Sequence, residues 1–337
     1  MLKERLGKEL LFFDGGMGSL LQAEGLEPGE LPEIWNIERA DVIRKIQKAY
    51  FEAGSDIVLA NTFGANAIKY HSDKYSLEEV VKAAIMNVKA AANEGVHDGR
   101  KVYIGLDIGP TGRLIKPLGD LEFEHAYEAY SEVVKIGVRE GVDLIHIETM
   151  NDLYELKAAV LAAKENSELP VFATVVFDAK GKMLTGGDAK SVIALLEGLR
   201  VDAIGLNCSL GPEQMMGFVD ELAEYASLPI IMKPNAGLPK QCNGETYYDV
   251  DPHEFANAMA TIVDKGACVI GGCCGTTPEH IAEMVKLCKD KKVQKKNQLN
   301  PLLRKRLKHQ SIMNMKLEKL LNLVDMNKIM IFLMGKN

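Results

Sequence analysis

Eight short apolar segments, separated by stretches with helical periodicity, most constrain the fold of this 337-residue chain. Each segment is nearly continuous in apolar residues rather than alternating, which is typical of parallel strands covered on both faces. Strand and helix repeated eight times predict a (β/α)8 TIM barrel, an architecture that commonly takes about 250 residues. The eight segments are Leu10–Asp14, Ile57–Asn61, Val102–Asp107, Leu144–Glu148, Val171–Phe177, Ala203–Cys208, Ile230–Lys233 and Cys268–Gly272.

The stretches between the segments support the same architecture. Residues 40–53 place apolar side chains at helical spacing. Asp251, followed by Pro252 and Glu254, predicts a capped helix start, and residues 276–279 predict another. A doubly wound open sheet is the alternative, but no early segment is followed by the Gly-x-Gly-x-x-Gly spacing that such sheets use for dinucleotides.

Charge divides the chain into two parts. Residues 289–337 contain 13 Lys/Arg and 3 Asp/Glu, a local charge of +10. Because the whole chain has a net charge of −7, the preceding 288 residues have a net charge of −17. An acidic body argues against nucleic acid as the main partner. We therefore expect a barrel over residues 1–288 and a short basic C-terminal extension over 289–337. Its charge favours a solvated, poorly ordered extension over a contact arm, and its residues would also fit a small amphipathic helix, a truncated linker or a terminus without a role.

Composition and cysteine usage narrow the class of protein. The chain is 47% hydrophobic and 26% charged, as ordinary globular proteins are. No apolar stretch reaches the roughly 20 residues that cross a membrane, and the N-terminus lacks the pattern of a secretion signal. Six cysteines in a chain of this length do not indicate a disulfide scaffold. Reduced thiols and a cytoplasmic location are therefore expected.

Three cysteines follow predicted strands at the end of the barrel where active sites assemble. Cys208 ends the sixth segment, and Cys273 and Cys274 follow the eighth within Gly-Gly-Cys-Cys-Gly. The flanking glycines permit the sharp turn that two adjacent side chains need in order to face one point. Three thiolates at one point would suit zinc with one open coordination position, and they suggest chemistry on a sulfur substrate.

Other interpretations of these cysteines stay open at this point. The adjacent pair would also fit a buried apolar pair or a strained vicinal disulfide. A zinc site here would also fit a structural role, with no coordination position left open. The remaining cysteines are interpreted as core residues: Cys242, Cys268 and Cys288.

Taken together, these motifs resemble the homocysteine S-methyltransferase family. The resemblance rests on the Gly-Gly-Cys-Cys-Gly-Thr-Thr-Pro-Glu-His run at 271–280, on Asn207-Cys208, and on the Asp-Gly-Gly-Met-Gly turn at 14–18. Within the family, the Lys-Pro-Asn-Ala-Gly-Leu-Pro run at 233–239 is most similar to the homocysteine-binding module of cobalamin-dependent methionine synthase. The resemblance covers about residues 5–288.

The resemblance implies a zinc ion on Cys208, Cys273 and Cys274, with the open position taken by the homocysteine sulfur. In some family members a pocket side chain fills that position when substrate is absent, and Asn235 is the candidate here. A free thiol has a pKa of ~8.5, and coordination to zinc removes its proton, which leaves a nucleophilic thiolate.

Substrate contacts are also implied by the resemblance. Asp14 and Glu148 would bind the ammonium group of homocysteine, and the turn of Gly15 and Gly16 would bind its carboxylate. From the residues alone, Asp14 would equally be a turn residue, and Glu148 would equally pair with a lysine or arginine. Lys233 has two open roles, contact with a substrate carboxylate or pairing with a buried acid.

Two further loops are expected to line the pocket or only to shape turns, and they are Asn61–Asn66 and Asp107–Pro110. The function implied is zinc-dependent methyl transfer to the homocysteine thiolate, which gives methionine. By the resemblance of residues 233–239, the expected donor is methylcobalamin. It would be carried by a corrinoid protein or by folate and cobalamin modules, because no such module fits in the 49 residues after Cys288. The alternatives are a small donor, such as S-methylmethionine or betaine, and a subunit that only presents homocysteine.

Overall fold

A computed structural model describes residues 1–242 and 245–294 of the chain. Eight parallel strands form its main sheet, and nearly all of their residues are buried. The strands of this sheet are β1 (Leu11–Phe12), β2 (Ile57–Leu59), β3 (Tyr103–Ile108), β4 (Leu144–Met150), β5 (Val171–Val175), β6 (Ala203–Asn207), β7 (Ile230–Lys233) and β10 (Val269–Ile270). A separate antiparallel hairpin consists of β8 (Lys240–Cys242) and β9 (Glu245–Tyr247).

The main sheet closes on itself. Its strands follow the order β1-β10-β7-β6-β5-β4-β3-β2, and all paired neighbours run parallel. The two end strands meet at a parallel bridge between Phe13 and Ile57, where the N–H of Asp14 donates to the carbonyl of Ile57 at 3.0 Å. The predicted TIM barrel is confirmed, and the open-sheet alternative is wrong because both edges are joined.

Helices lie along the chain between the strands, as in other barrels of this kind. None of those in the described ranges has both the length and the apolar character needed to cross a membrane. They are α1 (Leu2–Arg5), α2 (Met17–Ala23), α3 (Trp35–Glu38), α4 (Ala40–Glu52), α5 (Leu77–Gly95), α6 (Phe123–Arg139), α7 (Leu153–Glu165), α8 (Ala189–Gly198), α9 (Pro212–Tyr225), α10 (Pro252–Asp264) and α11 (Pro278–Cys288), with a 3-10 turn at Pro32–Ile34.

The capping signals in the sequence mark real helix starts. The Asp251 carboxylate accepts hydrogen bonds from the N–H groups of His253 and Glu254, and Pro252 is the first residue of α10. These bonds satisfy donors that a helix leaves unpaired at its N-terminus. Thr277 is the N-cap of α11 in a different way, since its own N–H donates to Nδ1 of His280 at 3.2 Å, ahead of a proline in the first turn.

The β8–β9 hairpin and the C-terminal end of the barrel differ in how far the sequence predicts them. The β8–β9 hairpin was not predicted, because its residues form no continuous apolar run, although the Asn-Gly pair at 243–244 is a hairpin signal. The last described helix ends at Cys288, the expected boundary of the barrel. Most of the basic extension, residues 295–337, lies outside the described residues.

The barrel wall tolerates no side chain at Gly205 of β6. A Cβ atom built there would lie 1.8 Å from the carbonyl oxygen of Ile231 on β7. We expect Gly205→Ala to lower the free energy of unfolding by at least ~2 kcal/mol, because the neighbouring backbone must shift. Urea unfolding followed by circular dichroism measures the change.

Gly217 provides the matched control, since it lies exposed in α9 with no atom within 4 Å of an added Cβ. Gly217→Ala should raise the free energy of unfolding by up to ~1 kcal/mol, because alanine loses less backbone entropy in a helix. Equal shifts in the two variants would contradict the steric argument.

Candidate metal and substrate site

The sulfur atoms of Cys208, Cys273 and Cys274 converge at the carboxyl end of the barrel. The three Sγ atoms all lie within 4.8 Å of one another, and those of Cys208 and Cys274 are 3.8 Å apart. All three thiols are free and only partly buried, which differs from Cys268 and Cys288 in the core. Among the residues that the structure describes, they are the one group of histidine, cysteine or acidic side chains spaced for a metal ion.

The pKa of each of these thiols depends on the other two. A hydrogen bond with Cys273 lowers the pKa of Cys208, but the Cys274 thiol and burial raise it, and the pKa is about 12. For Cys274, a hydrogen bond with Cys208 lowers the pKa, whereas Cys273 and burial raise it to about 12. The thiols therefore keep their protons at neutral pH when no cation is bound.

The backbone at the cysteines adopts unusual conformations. Cys208 and Ser209 have φ angles of 59° and 61°, in the left-handed region that side chains disfavour. Gly275 has a φ of 77°, and a Cβ atom there would lie 2.3 Å from the ring of Tyr248. The structure thus contains the sharp turn that the glycines predicted, and it adds Tyr248, which sequence reasoning missed.

Asn207, which precedes Cys208, connects three strands. Its Oδ1 accepts hydrogen bonds from the N–H of Thr149 at 2.8 Å and from the hydroxyl of Thr174 at 2.8 Å. Its Nδ2 donates to the hydroxyl of Thr149 at 2.7 Å and to the sulfur of Cys273 at 3.8 Å. Thr149 itself has a φ of 62°, so this amide supports a strained turn at the end of β4.

Below the cysteines, the barrel contains a buried ion pair. Lys233 Nζ donates to Glu148 Oε2 at 2.6 Å, and His146 Nε2 lies 3.0 Å from the same oxygen. Burial raises the pKa of Glu148, but the Lys233 ammonium and His146 outweigh it and hold that pKa at about 2. Burial lowers the pKa of His146 to about 4, so the neutral ring donates its Nε2–H to the carboxylate.

The two open roles of Lys233 are thereby distinguished. Burial alone would lower the pKa of Lys233, yet Glu148 and the nearby aspartates raise it above its ordinary value. The lysine is therefore a cation and pairs with a buried acid. Glu148 therefore forms an ion pair with a lysine, which is the alternative that its sequence context left open.

Asp14 lies near this pair, at the end of β1. Its Oδ2 accepts the N–H of Leu59 at 2.7 Å, whereas its Oδ1 is buried and has no hydrogen-bond partner within the described ranges. Burial raises the pKa of Asp14 to about 6, and Glu148 adds to this while Lys233 opposes it. Asp14 is therefore a buried acid with one oxygen available to a ligand.

The glycines that follow Asp14 pack tightly against the cysteine loop. The N–H of Gly16 donates to the hydroxyl of Thr276 at 3.1 Å and to its carbonyl at 3.3 Å. A Cβ atom on Gly15 would lie 2.6 Å from the Thr276 hydroxyl, and one on Gly16 would lie 2.7 Å from the Cys273 carbonyl. Close packing alone therefore requires glycine at both positions, and the Gly16 N–H is already engaged.

Asn235 lies between the two cysteine-bearing loops. Its N–H donates to Leu210 O at 3.0 Å, and the N–H of Ala236 donates to Cys274 O at 3.0 Å. The Asn235 Oδ1 is buried without a hydrogen-bond partner in residues 1–242 and 245–294. Such an oxygen is available to a ligand at this site.

The fold and the site define a class: a (β/α)8 barrel with three free thiols at the carboxyl ends of its strands, above a buried carboxylate–lysine pair. The chain belongs to the homocysteine S-methyltransferase family, whose model matches residues 11–288.

Curated relatives include the methionine synthases of Mycobacterium leprae and Mycobacterium tuberculosis. The chain is 35% identical to the first over 299 residues and 35% identical to the second over 297 residues. Each match covers 84% of this chain but only 24% and 25% of the respective relative. The chain therefore spans about a quarter of the length of these relatives.

Solved structures support the fold. The oxidised form of the homocysteine methyltransferase MmuM from Escherichia coli matches with a TM-score of 0.70 at 20% identity, over 82% of this chain and 95% of that chain. The metallated form of the same protein matches with a TM-score of 0.69 at 21% identity, over 82% and 96%. At these identities the likeness shows a shared barrel.

The pKa shifts of Asp14 and Glu148 predict opposite effects on stability. Asp14 has a folded pKa of about 6 against 3.8 for the ordinary group, so stability falls as pH rises through this interval. Asp14→Asn should remove this loss and stabilise the protein at neutral pH by up to ~3 kcal/mol. Thermal midpoints measured from acidic to neutral pH test the prediction, and an equal gain at all pH values would contradict it.

Glu148→Gln is the comparison with the opposite sign. Glu148 has a folded pKa of about 2 against 4.5, so its contribution is present above the ordinary pKa and is lost as pH falls towards 2. The variant leaves Lys233 buried without its carboxylate, and we expect a loss of ~3 kcal/mol or more at neutral pH. A Glu148→Gln protein as stable as the parent would show that the ion pair is dispensable.

Proposed function

We propose that this domain holds homocysteine as a thiolate for methyl transfer that yields methionine. The observation that carries the proposal is the convergence of three free thiols within 4.8 Å, on loops that two different strands deliver. Three sulfur ligands with a fourth position open to substrate are a donor set that suits catalytic zinc. Membership of the homocysteine S-methyltransferase family supports the same conclusion.

The residues present fit zinc. Cys208, Cys273 and Cys274 would hold the ion, and Asn235, with its unpartnered oxygen, is our candidate to occupy the open position before substrate binds. When bound, zinc supplies the deprotonation of a coordinated thiol and keeps the sulfur nucleophilic. Because the pKa values of all three thiols are raised, these cysteines would lose their protons only on binding the ion.

The chain's own residues would orient the substrate. We propose that buried acids at the ends of β1 and β4, Asp14 and Glu148, receive the ammonium group. The turn of Gly15 and Gly16 would receive the carboxylate. Because the N–H of Gly16 already donates to Thr276, the N–H groups that follow it in the chain are the better donors. Fixing both ends of the amino acid aims its sulfur at the cysteines and lowers the entropic cost of the reaction.

The methyl donor in our proposal is methylcobalamin, carried by a corrinoid module or a separate corrinoid protein that acts with folate modules. The similarity of residues 233–239 to cobalamin-dependent methionine synthase supports it, as do the longer methionine synthases among the relatives. We further propose that residues 1–288 are the homocysteine-binding domain and that the basic residues 289–337 follow it. Free thiols at the site favour a reducing compartment such as the cytoplasm.

Zinc analysis of reduced protein tests the metal site. We expect roughly one tightly bound zinc per chain, lost in Cys208→Ala because two sulfurs are too few to retain it. Cys288→Ala is the control, since Cys288 is buried at the end of α11 away from the site. Zinc that survives Cys208→Ala undiminished would refute the ligand assignment.

A panel of methyl donors tests the reaction. We expect methionine to form from homocysteine when methylcobalamin or a methylated corrinoid protein is supplied, and none in Cys273→Ala. Turnover with S-methylmethionine or betaine alone would replace the proposed donor. Binding of homocysteine without turnover with any donor would instead favour a subunit that only presents the substrate.

A further inference from the structure

Asp107 is a buried acid that neither the cysteine site nor the ion pair uses. It lies on β3 in register with His146 on β4, and paired residues of parallel strands face the same side of a sheet. The preceding Leu106 faces outward, because its Cδ2 lies 2.6 Å from where a Cβ on Gly137 of α6 would be. Asp107 therefore faces the barrel interior, where it is only 7% exposed.

The backbone of Asp107 is fixed, but its carboxyl group is not satisfied. The N–H of Asp107 donates to the Thr62 hydroxyl at 3.1 Å, and that hydroxyl donates to the Asp107 carbonyl at 2.8 Å. The Asp107 Oδ1 is buried and, within the described parts of the chain, accepts no hydrogen bond. Asp14 Oδ1 is in the same condition.

Among the charged groups that the structure describes around Asp107, acids outnumber cations. Asp14, Asp107 and Glu148 influence one another electrostatically, and the cation among them, Lys233, pairs with Glu148 at 2.6 Å. Burial raises the pKa of Asp107 well above its ordinary value, and Glu148 and Asp14 raise it further. Unpaired buried carboxyl groups destabilise a fold, and proteins keep such groups mainly where a ligand needs them.

The positive charge that would balance Asp14 and Asp107 is better supplied by an organic cation than by a metal ion. The oxygens of the three acids do not form a group within 4.8 Å of one another, as the cysteine sulfurs do. A hard cation needs six or more oxygens at short range. A primary ammonium group has three donors on one nitrogen and can bridge carboxylates that lie further apart.

We propose that Asp107 is a specificity-determining residue, which joins Asp14 and Glu148 in binding the ammonium group of the substrate, while Glu148 also keeps its bond to Lys233. This inference rests on the proposed function and adds a residue to the ammonium site implied by the family resemblance. Because Lys233 already balances the charge of Glu148, the two aspartates supply the negative charge that the ammonium group neutralises. The pocket then selects thiols with an ammonium group over thiols with only a carboxylate.

The test compares two thiols on zinc-loaded protein by titration calorimetry. Homocysteine carries the ammonium group, and 4-mercaptobutanoate is the same molecule without it. We expect Asp107→Asn to weaken homocysteine binding at least about tenfold, because a charged hydrogen bond is lost. The same variant should bind 4-mercaptobutanoate as well as or better than the parent, since a negative charge near the ligand is gone.

Thermal unfolding without ligand provides a second readout. Asp107→Asn should raise the melting temperature, because an unpaired buried acid is replaced by a neutral amide of the same shape. Asp98→Asn is the matched control at an exposed acid that precedes β3 at the opposite end of the barrel, and it should leave both ligand affinities unchanged.

Three results would overturn the inference: an equal loss of affinity for both thiols, no loss for homocysteine, or a lower melting temperature in Asp107→Asn. If the parent protein binds homocysteine but not 4-mercaptobutanoate, and Asp107→Asn behaves in the same way, Asp107 is rejected as an ammonium ligand. The proposed function is then left intact. A parent protein that binds neither thiol would reject the proposed function itself.

Discussion

Closure of the sheet between β1 and β2 is the constraint on which the site depends. β6, β7, β10 and β1 are four consecutive strands of the sheet, and the Phe13–Ile57 bridge joins β1 to β2, so that Asp14 and the acids of β3 and β4 share one closed interior. Cys208 and the Cys273–Cys274 pair then flank β7, which carries Lys233 at its end and is followed by Asn235. Residues that are distant in the sequence converge because their strands end at the same rim.

The site combines two chemically different layers. At the rim, soft sulfur atoms lie on strained or glycine-rich turns, where their direction is set by backbone geometry. Beneath them, hard charged groups lie in the apolar interior, where Coulomb interactions are poorly screened. An amino acid that ends in a thiol has the same two kinds of group. The layered arrangement therefore matches the substrate that the family relationship suggests.

Much of this architecture could be predicted from the sequence. Eight apolar runs correspond to the eight barrel strands, and Asp251 and Thr277 mark real helix starts, because periodicity and capping are local properties of the chain. The convergence of Cys208 with Cys273 and Cys274 followed from strand ends and flanking glycines. The roles of these residues in zinc and substrate binding stay predictions.

Other features could not be predicted, because they depend on which side chains meet across the barrel. The choice of Glu148 as the partner of Lys233 follows from strand order and register, and neither is written in the local sequence. The same holds for the unpartnered Asp107 and for Gly16, whose N–H proved to be engaged by Thr276. The β8–β9 hairpin could not be predicted from hydrophobicity because its strands contain no continuous apolar run.

The amide of Asn207 has a consequence for how this rim tolerates change. Its oxygen and nitrogen each make two hydrogen bonds, and the bond from the Thr149 N–H fixes the orientation of the amide, because a backbone N–H can only donate. Flipping the amide would set its NH2 group against the N–H of Thr149 and turn its oxygen towards the sulfur of Cys273. Only one orientation of the amide therefore fits this site. An aspartate of the same shape would fill the same space, but it would turn a negatively charged oxygen, instead of an N–H donor, towards the Cys273 sulfur.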